Sequence, residues 1–317
     1  EEVNRAGGIL AREVVLHVVD GGRPPVTVAR ELDALVTGGL VQAVVGWHLS
    51  PRALAAAPRL AGRVPYLYPA LHEGGMVTPG VFLTGADAAR LLVPPLRWLA
   101  RNRGARRWFV VANDFLWPRL LADRVRGHAR ERHLRVVGEA FVGVGTGEFG
   151  PVLDQVAASE ADGVAVLLVG DDAVSFNRAF ADRGLDEAFV RFSPLVEENL
   201  LAAIGAGGTR GLSSAAGYFE SLVTPEALAF GGRYAGRFGP EAPPLNALGE
   251  AHYEAVHLLA CLAHTAGTID VGALSAVSDT AVYEGPRGPL KMRSAHLDQR
   301  VYLADAAGME FDVVVEP

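Results

Sequence analysis

The chain has 317 residues, half of them hydrophobic and 21% charged, with a formal net charge of −7. This length is too great for one small core and suits two α/β lobes, while the acidic balance argues against a nucleic-acid partner, which calls for a basic face. Cys261 is the only cysteine, which excludes an intrachain disulfide and a cysteine-based metal cluster.

Taken in order, apolar runs of strand length alternate with helical spacing. Residues 14–19 read as a strand, and 26–36 as a helix with Ala29, Leu32, Leu35 and Val36 on one face. Strands are predicted at 41–45, 64–68, 108–112, 134–137, 164–169 and 189–192. Helices are predicted at 50–60, 91–101, 118–133, 151–159, 173–183 and 196–204. Such alternation implies parallel sheets covered by helices on both faces. After Gly211 the pattern changes to a strand at 212–219, helices at 225–238 and 245–266, and a β-rich end at 289–292, 301–304 and 311–315. The longest apolar run, 163–170, suits a buried strand and is far short of a membrane span. Lys291 is the only lysine, which reflects composition bias. Cys261 lies in an apolar helical pattern and reads as a buried structural thiol.

In open α/β sheets, ligands bind beyond the carboxyl ends of the strands. Gly46-Trp47-His48-Leu49-Ser50-Pro51 follows one strand, with Ser50 as a helix cap and Pro51 as the first helical residue. Ser193-Pro194 repeats the pairing after another strand. Each is either plain capping or a set of amides offered to a ligand oxygen. Tyr68-Pro69-Ala70-Leu71-His72-Glu73-Gly74 places Tyr68 and His72 at a third strand end. Asn113-Asp114-Phe115-Leu116-Trp117-Pro118 puts Phe115 and Trp117 just before a helix, as pocket wall or as core. Asp171 follows the strand at 164–169 and reads as a helix cap or a ligand contact.

Enzymatic readings are thinner. Gly145-Thr146-Gly147-Glu148-Phe149-Gly150 matches G-x-G-x-x-G, with Asp171 about 20 residues further on, as in a dinucleotide fingerprint. However, the preceding strand is short, and Pro151 starts the helix where the last glycine should already be packed. An NAD-dependent oxidoreductase built on this loop is the enzymatic alternative. There is no G-x-S-x-G elbow and no H-E-x-x-H. His252, His257 and His264 share one helix without an evident acidic partner for a metal. No cofactor is expected.

Several of these segments, in order, resemble the type I periplasmic-binding-protein superfamily, and within it the branch of urea and short-chain amide receptors. Residues 1–10 are similar to the end of the family's first helix. Tyr68-Pro69-Ala70-Leu71-His72-Glu73-Gly74 resembles Tyr-Pro-x-x-Tyr-Glu-Gly, and Asn113-Asp114-Phe115-Leu116-Trp117-Pro118-Arg119 resembles Ser-Asp-Tyr-x-Tyr/Phe-Pro-Arg. Tyr218-Phe219-Glu220-Ser221 with Thr224-Pro225 is similar to Tyr-Phe-Ser-Ser-x-x-Thr-Pro. Gly249-Glu250-Ala251-His252-Tyr253 and Gly285-Pro286-Arg287-Gly288-Pro289 match two later signatures.

The resemblance implies two Rossmann-like lobes with parallel sheets, joined by three crossovers and closing by hinge motion on a ligand. The expected lobes are 1–104 plus 222–294, and 105–221 plus 295–317. It places Ser50, Tyr68, Ala70 and Trp117 at pocket positions, His72 where the branch has Tyr, and contacts from the loop 193–197. Together with His48, Phe115, Asp171 and Ser193, these make the candidate site. The family's first strand has no counterpart here, and His48, Ala70 and Trp117 depart from the usual amide-receptor residues. The implied function is non-catalytic: a periplasmic or membrane-anchored receptor passing an amide, urea or amino acid to an ABC-transporter permease. The alternative is a cytoplasmic amide sensor acting on a regulatory partner protein.

Overall fold

The structure, a computed structural model of the chain, describes residues 1–46, 50–72, 74–131 and 134–317. In chain order the elements are α1 (Glu2–Arg5), α2 (Pro25–Thr37), β1 (Val44–Val45), α3 (Ser50–Leu60), β2 (Tyr66–Tyr68), β3 (Val81–Leu83), α4 (Ala88–Asn102), β4 (Arg107–Asn113), α5 (Leu116–Glu131) and β5 (Arg135–Val142). There follow α6 (Gly150–Ala157), β6 (Gly163–Leu167), α7 (Gly170–Asp182), a 3-10 turn (Leu185–Glu187), β7 (Val190–Phe192), α8 (Glu198–Ile204), β8 (Leu212–Ala216) and α9 (Pro225–Phe238). The chain ends with α10 (Ala247–Ala266), α11 (Val271–Ser278), β9 (Val282–Gly285), β10 (Gly288–Arg293), β11 (His296–Asp298), β12 (Tyr302–Ala307) and β13 (Glu310–Val315).

These elements form two units, Glu1–Ala86 with Leu248–Gln299 and Asp87–Ala247 with Arg300–Pro317, so the chain passes from one to the other three times. The units divide at 86/87, 247/248 and 299/300, whereas the lobes expected from the sequence divide at 104/105, 221/222 and 294/295. Residues 87–104 fall in the second unit because α4 packs on α5 and β8. Arg103, at the end of that helix, also donates to Ser213 Oγ at 3.0 Å and pairs with Asp305.

The first unit holds a six-stranded sheet in the order β1-β2-β3-β11-β10-β9. Its β1–β2–β3 core is parallel, and β9, β10 and β11 pair antiparallel. Strand alternation sends Tyr66 and Tyr68 to the face covered by α2 and α3, with Leu32, Ala53, Ala57 and Leu60. Leu67 points the other way, into a core with Phe82 and with Leu258, Leu259 and Leu262 of α10. Both faces are therefore buried, as near-continuous apolar strands demand.

The second unit holds a seven-stranded sheet in the order β13-β12-β8-β7-β6-β4-β5. The run from β8 to β5 is parallel, and β12 and β13 pair antiparallel at its end. Phe109, Val111, Val164 and Val166 face Phe149, Phe176 and Phe180 of the helical layer. Gly163 lies against the Trp108 ring, where a Cβ would come within 2.8 Å of it. Both sheets are thus mixed, with parallel cores as expected and antiparallel margins built from the β-rich C-terminal segments.

Residues 14–19, expected as a strand, form none. They pair with no strand among the described residues, and Val15, Leu16 and Val18 are exposed. A β-prone composition yields a strand only where a neighbour completes the ladder. What holds the segment is Asn4, whose side chain bonds both the N–H and the C=O of Val14 at 2.8 and 2.9 Å.

Candidate functional site

The second unit is richest in polar groups at the carboxyl ends of its parallel strands. β4 ends at Asn113, which is fully buried. Its Oδ1 accepts from the N–H of Val169 at 2.9 Å, and its Nδ2 donates to Asp172 Oδ2 at 2.8 Å. Asp172 also accepts from the N–H of Gly145 at 2.7 Å and of Gly147 at 3.2 Å. Asp172 and Asn113 together thus tie the ends of β4 and β6 to the loop after β5. Gly145 and Gly147 have φ of +82° and +66°, a left-handed backbone that turns their amides inward. The G-x-G-x-x-G loop therefore already holds an anion, the protein's own, and its amides are not free to cradle a phosphate. Asp171, the sequence candidate, lies exposed in the first turn of α7 and makes no side-chain cap.

Asp114, Phe115 and Trp117 follow β4. Arg119 bonds Asp114, holding that carboxyl below its ordinary range, and its guanidinium lies 4.4 Å from the Phe141 ring. Phe115 is half-buried, and Trp117 is 5% exposed in the first turn of α5. The helix begins at Leu116, earlier than expected, because Pro118 falls in its first turn, where no N–H is needed. The Nε1 of Trp117 is buried and meets no acceptor among the described residues.

Ser193 follows β7. The sequence suggested a helix cap there, but α8 starts at Glu198 with Glu197 in the cap position, so Ser193 caps nothing. The buried Ser193 instead continues the ladder, its N–H donating to Ser213 C=O at 2.9 Å. Its Oγ is buried without a partner among the described residues. Nearby, Ser214 Oγ donates to Val196 C=O at 2.7 Å. Glu198 accepts from the N–H of Glu220 at 2.9 Å, and Glu220 accepts from the N–H of Leu245 at 3.3 Å. Burial pushes the Glu198 carboxyl up to about 7, despite the donor from Glu220.

In the first unit, α3 begins at the buried Ser50, with Pro51 in its first turn. His48 lies outside the described residues. Tyr68 and Ala70 are buried, and the segment they occupy is zipped to the one after β3. Tyr68 C=O accepts from the N–H groups of Thr84 and Gly85 at 2.9 and 3.1 Å, and His72 N–H donates to Ala86 C=O at 3.1 Å. The approach is close enough that a Cβ on Gly85 would sit 1.9 Å from the carbonyl oxygen of Ala70. His72 is buried with both ring nitrogens engaged: Nδ1 accepts from Gly74 N–H at 3.0 Å, so Nε2 carries the proton toward Gly85 C=O at 3.1 Å. Its ring braces the loop.

The helical histidines are also engaged. His252 Nδ1 lies 2.7 Å from Leu248 C=O, His264 Nε2 lies 3.3 Å from Gly8 C=O, and His257 stacks on Tyr253. No cluster of His, Cys, Asp or Glu suited to a metal occurs among the described residues. Cys261 is half-buried, with Sγ donating to Val282 C=O at 3.7 Å. No single helix among the described residues is long and apolar enough to cross a membrane.

The structure gathers Trp117, Ser193 and the exposed Asp171 along one sheet edge, and Ser50, Tyr68, Ala70 and His72 in the first unit. Asp172 and Glu198 were missed from sequence. The doubled acid at a helix start was a signal for Asp172, but only the fold shows which of the two carboxylates turns inward.

The periplasmic binding protein family model matches residues 1–309. A solute-binding protein of an ABC transporter from Rhodopseudomonas palustris, in complex with p-hydroxybenzoic acid, superposes with a TM-score of 0.88 at 22% identity, covering 99% of this chain and 88% of that one. An amino acid ABC transporter substrate-binding protein from Pseudomonas fluorescens gives 0.87 at 17% identity, covering 98% and 87%. A branched-chain amino acid transporter substrate-binding protein from Streptococcus pneumoniae, in complex with isoleucine, gives 0.84 at 18%, covering 99% and 90%. At these identities the likeness is one of fold. No curated protein matches the chain by sequence. The match over nearly the whole chain, on two α/β units traversed three times, makes this protein a member of the periplasmic binding protein family, a binder and not an enzyme.

Proposed function

We propose that the protein is the solute-binding component of an ABC transporter, and that its ligand is a small molecule bearing a carboxyl or carboxamide group. The observation that supports this reading most is the pair of buried donors at the carboxyl edge of the second sheet. Trp117 Nε1 and Ser193 Oγ are both shielded from water and lack an acceptor among the described residues. A buried donor without an acceptor costs about 1–3 kcal/mol. A ligand oxygen in that environment would recover it, and a carboxylate or amide carbonyl supplies such an oxygen. The ligands of two structural relatives, p-hydroxybenzoic acid and isoleucine, both carry a carboxyl group. Urea, simple amides and amino acids, the classes implied by the sequence resemblance, present the same acceptor chemistry. In this reading the partner is a transporter permease, and the place of action is the periplasm or the outer face of a membrane.

Isothermal titration of the purified chain with isoleucine, p-hydroxybenzoate, benzoate, acetamide and urea tests the reading. Saturable binding of at least one of these, weakened in Ser193→Ala, supports it. Binding that Ser193→Ala leaves unchanged removes this edge from the site.

A further inference from the structure

In the first unit, three ionisable side chains are buried together. Glu250 and Glu254 lie one turn apart on α10 and are 0% and 1% exposed; Arg287, in the turn between β9 and β10, is 6% exposed. Arg287 pairs with Glu254, and its Nε lies 3.2 Å from Glu250 Oε2. Neither oxygen of Glu250 meets a donor in hydrogen-bonding geometry among the described residues. The other groups facing the cluster are Tyr283 of β9, which burial and both glutamates push to higher pKa, and Tyr253 of α10. Tyr253 bonds Glu2 of α1, which also lies 3.8 Å from His257. Gly285 leaves no room beside the cluster, since a Cβ there would lie 2.7 Å from Glu254 Oε1 and 2.4 Å from the Tyr283 ring.

Two carboxylates therefore share one guanidinium, and a fully ionised cluster would bury one uncompensated negative charge. A buried charge without a partner takes up a proton in preference to staying ionised. We infer that Glu250 is protonated in the folded protein at neutral pH, and that its carboxyl O–H bonds Glu254, locking α10 to the β9–β10 turn with a clamp that alkali weakens. The direction of the Glu250 shift agrees: burial and the neighbouring Glu254 raise it well above the ordinary carboxyl value, against the pull of Arg287.

A carboxyl with a higher pKa folded than unfolded binds more protons in the folded state, so its contribution to stability declines as pH rises between the two values. Glu250→Gln keeps the shape, donates to Glu254 permanently and removes the titration. Chemical denaturation of the full chain should therefore show the folding constant of Glu250→Gln gaining on that of the wild type as pH rises from about 5 to 7, approaching tenfold per pH unit while Glu250 is ionised unfolded and protonated folded. Arg287→Gln, which strands Glu254, should be less stable than wild type throughout. At neutral pD, infrared spectroscopy should show a protonated carboxyl C=O band in the wild type and also in Glu198→Gln, which lacks the other carboxyl raised toward neutrality. Parallel pH curves for wild type and Glu250→Gln, or absence of that band from the wild type, would overturn the inference. The band can be sought even where a variant does not fold.

Discussion

The carboxylate of Asp172 lies 2.7 Å from the backbone nitrogen of Gly145, and this contact decides how the glycine-rich loop is used. The same carboxylate holds Asn113 and Gly147. Asp172→Ala should strip a buried asparagine and two amides of their acceptor at once. The expected loss is about 1.5–3 kcal/mol in chemical denaturation. Amide exchange at Gly145 and Gly147 should rise with it. Neither the wild type nor the variant should gain stability from NAD; an NAD-induced rise in the wild type would contradict the internal-anion account.

Arg191 is fully buried, and its hydrogen bonds among the described residues all go to backbone carbonyls. It donates to the C=O groups of Asn177, Gly208 and Arg210 at 3.0, 2.8 and 2.7 Å, with its guanidinium 4.8 Å from the Phe180 ring. Burial pulls its pKa down to about 10, still far above neutral, so it remains a cation fastening β7 to α7 and to the loop before β8. Arg191→Met should leave these carbonyls without donors and cost about 3 kcal/mol. Arg191→Lys should recover only part, since an ammonium cannot span the fork. Full recovery by lysine in thermal denaturation would show that charge alone matters.

Glu198 gives the second unit its own pH dependence. Its folded value of about 7 lies above the ordinary 4.5, because burial penalises the charged form. Between those values the folded state binds more protons than the unfolded state, so stability drops as pH rises from about 4.5 to about 7 and stays lower above. Glu198→Gln retains an acceptor for the Glu220 amide. It should exceed the wild type by about 1–3 kcal/mol at pH 8 and converge with it near pH 4. Denaturation curves that stay parallel across this range would refute the assignment.

Much of the fold was legible because local signals agreed with the tertiary outcome. The helix at 225–238 coincides with α9, whose cap Thr224 accepts from Ala227 N–H and whose first residue is Pro225. The short β3 and β11 escaped notice because no helical pattern separates them from the neighbouring strands, and α11 because its residues are apolar on nearly every side. Ser193 shows the limit of motif logic. The Ser-Pro pair looks like that at Ser50, yet the chain runs four residues further before it coils into α8. From sequence, the candidate residues could be placed only as a set of strand ends. Which side chains turn inward, as Asp172 does and Asp171 does not, depends on neighbours far away in sequence.

Trp117→Phe keeps the apolar wall and removes only the indole N–H; Ser193→Ala removes only the hydroxyl. Each should weaken ligand binding by about 1–2 kcal/mol, roughly a factor of 5 to 30, and change thermal stability by less than about 1 kcal/mol. An unchanged affinity in both variants would place the ligand elsewhere.

The most direct test of the account is a thermal-shift series on the purified wild-type chain with isoleucine, p-hydroxybenzoate, benzoate, acetamide, butyramide, urea and NAD. A ligand that binds only the folded state must raise the melting temperature at saturating concentration. A dose-dependent rise is expected with at least one carboxyl- or carboxamide-bearing compound, and none with NAD. A rise with NAD alone, or no rise with any of the solutes, would contradict it.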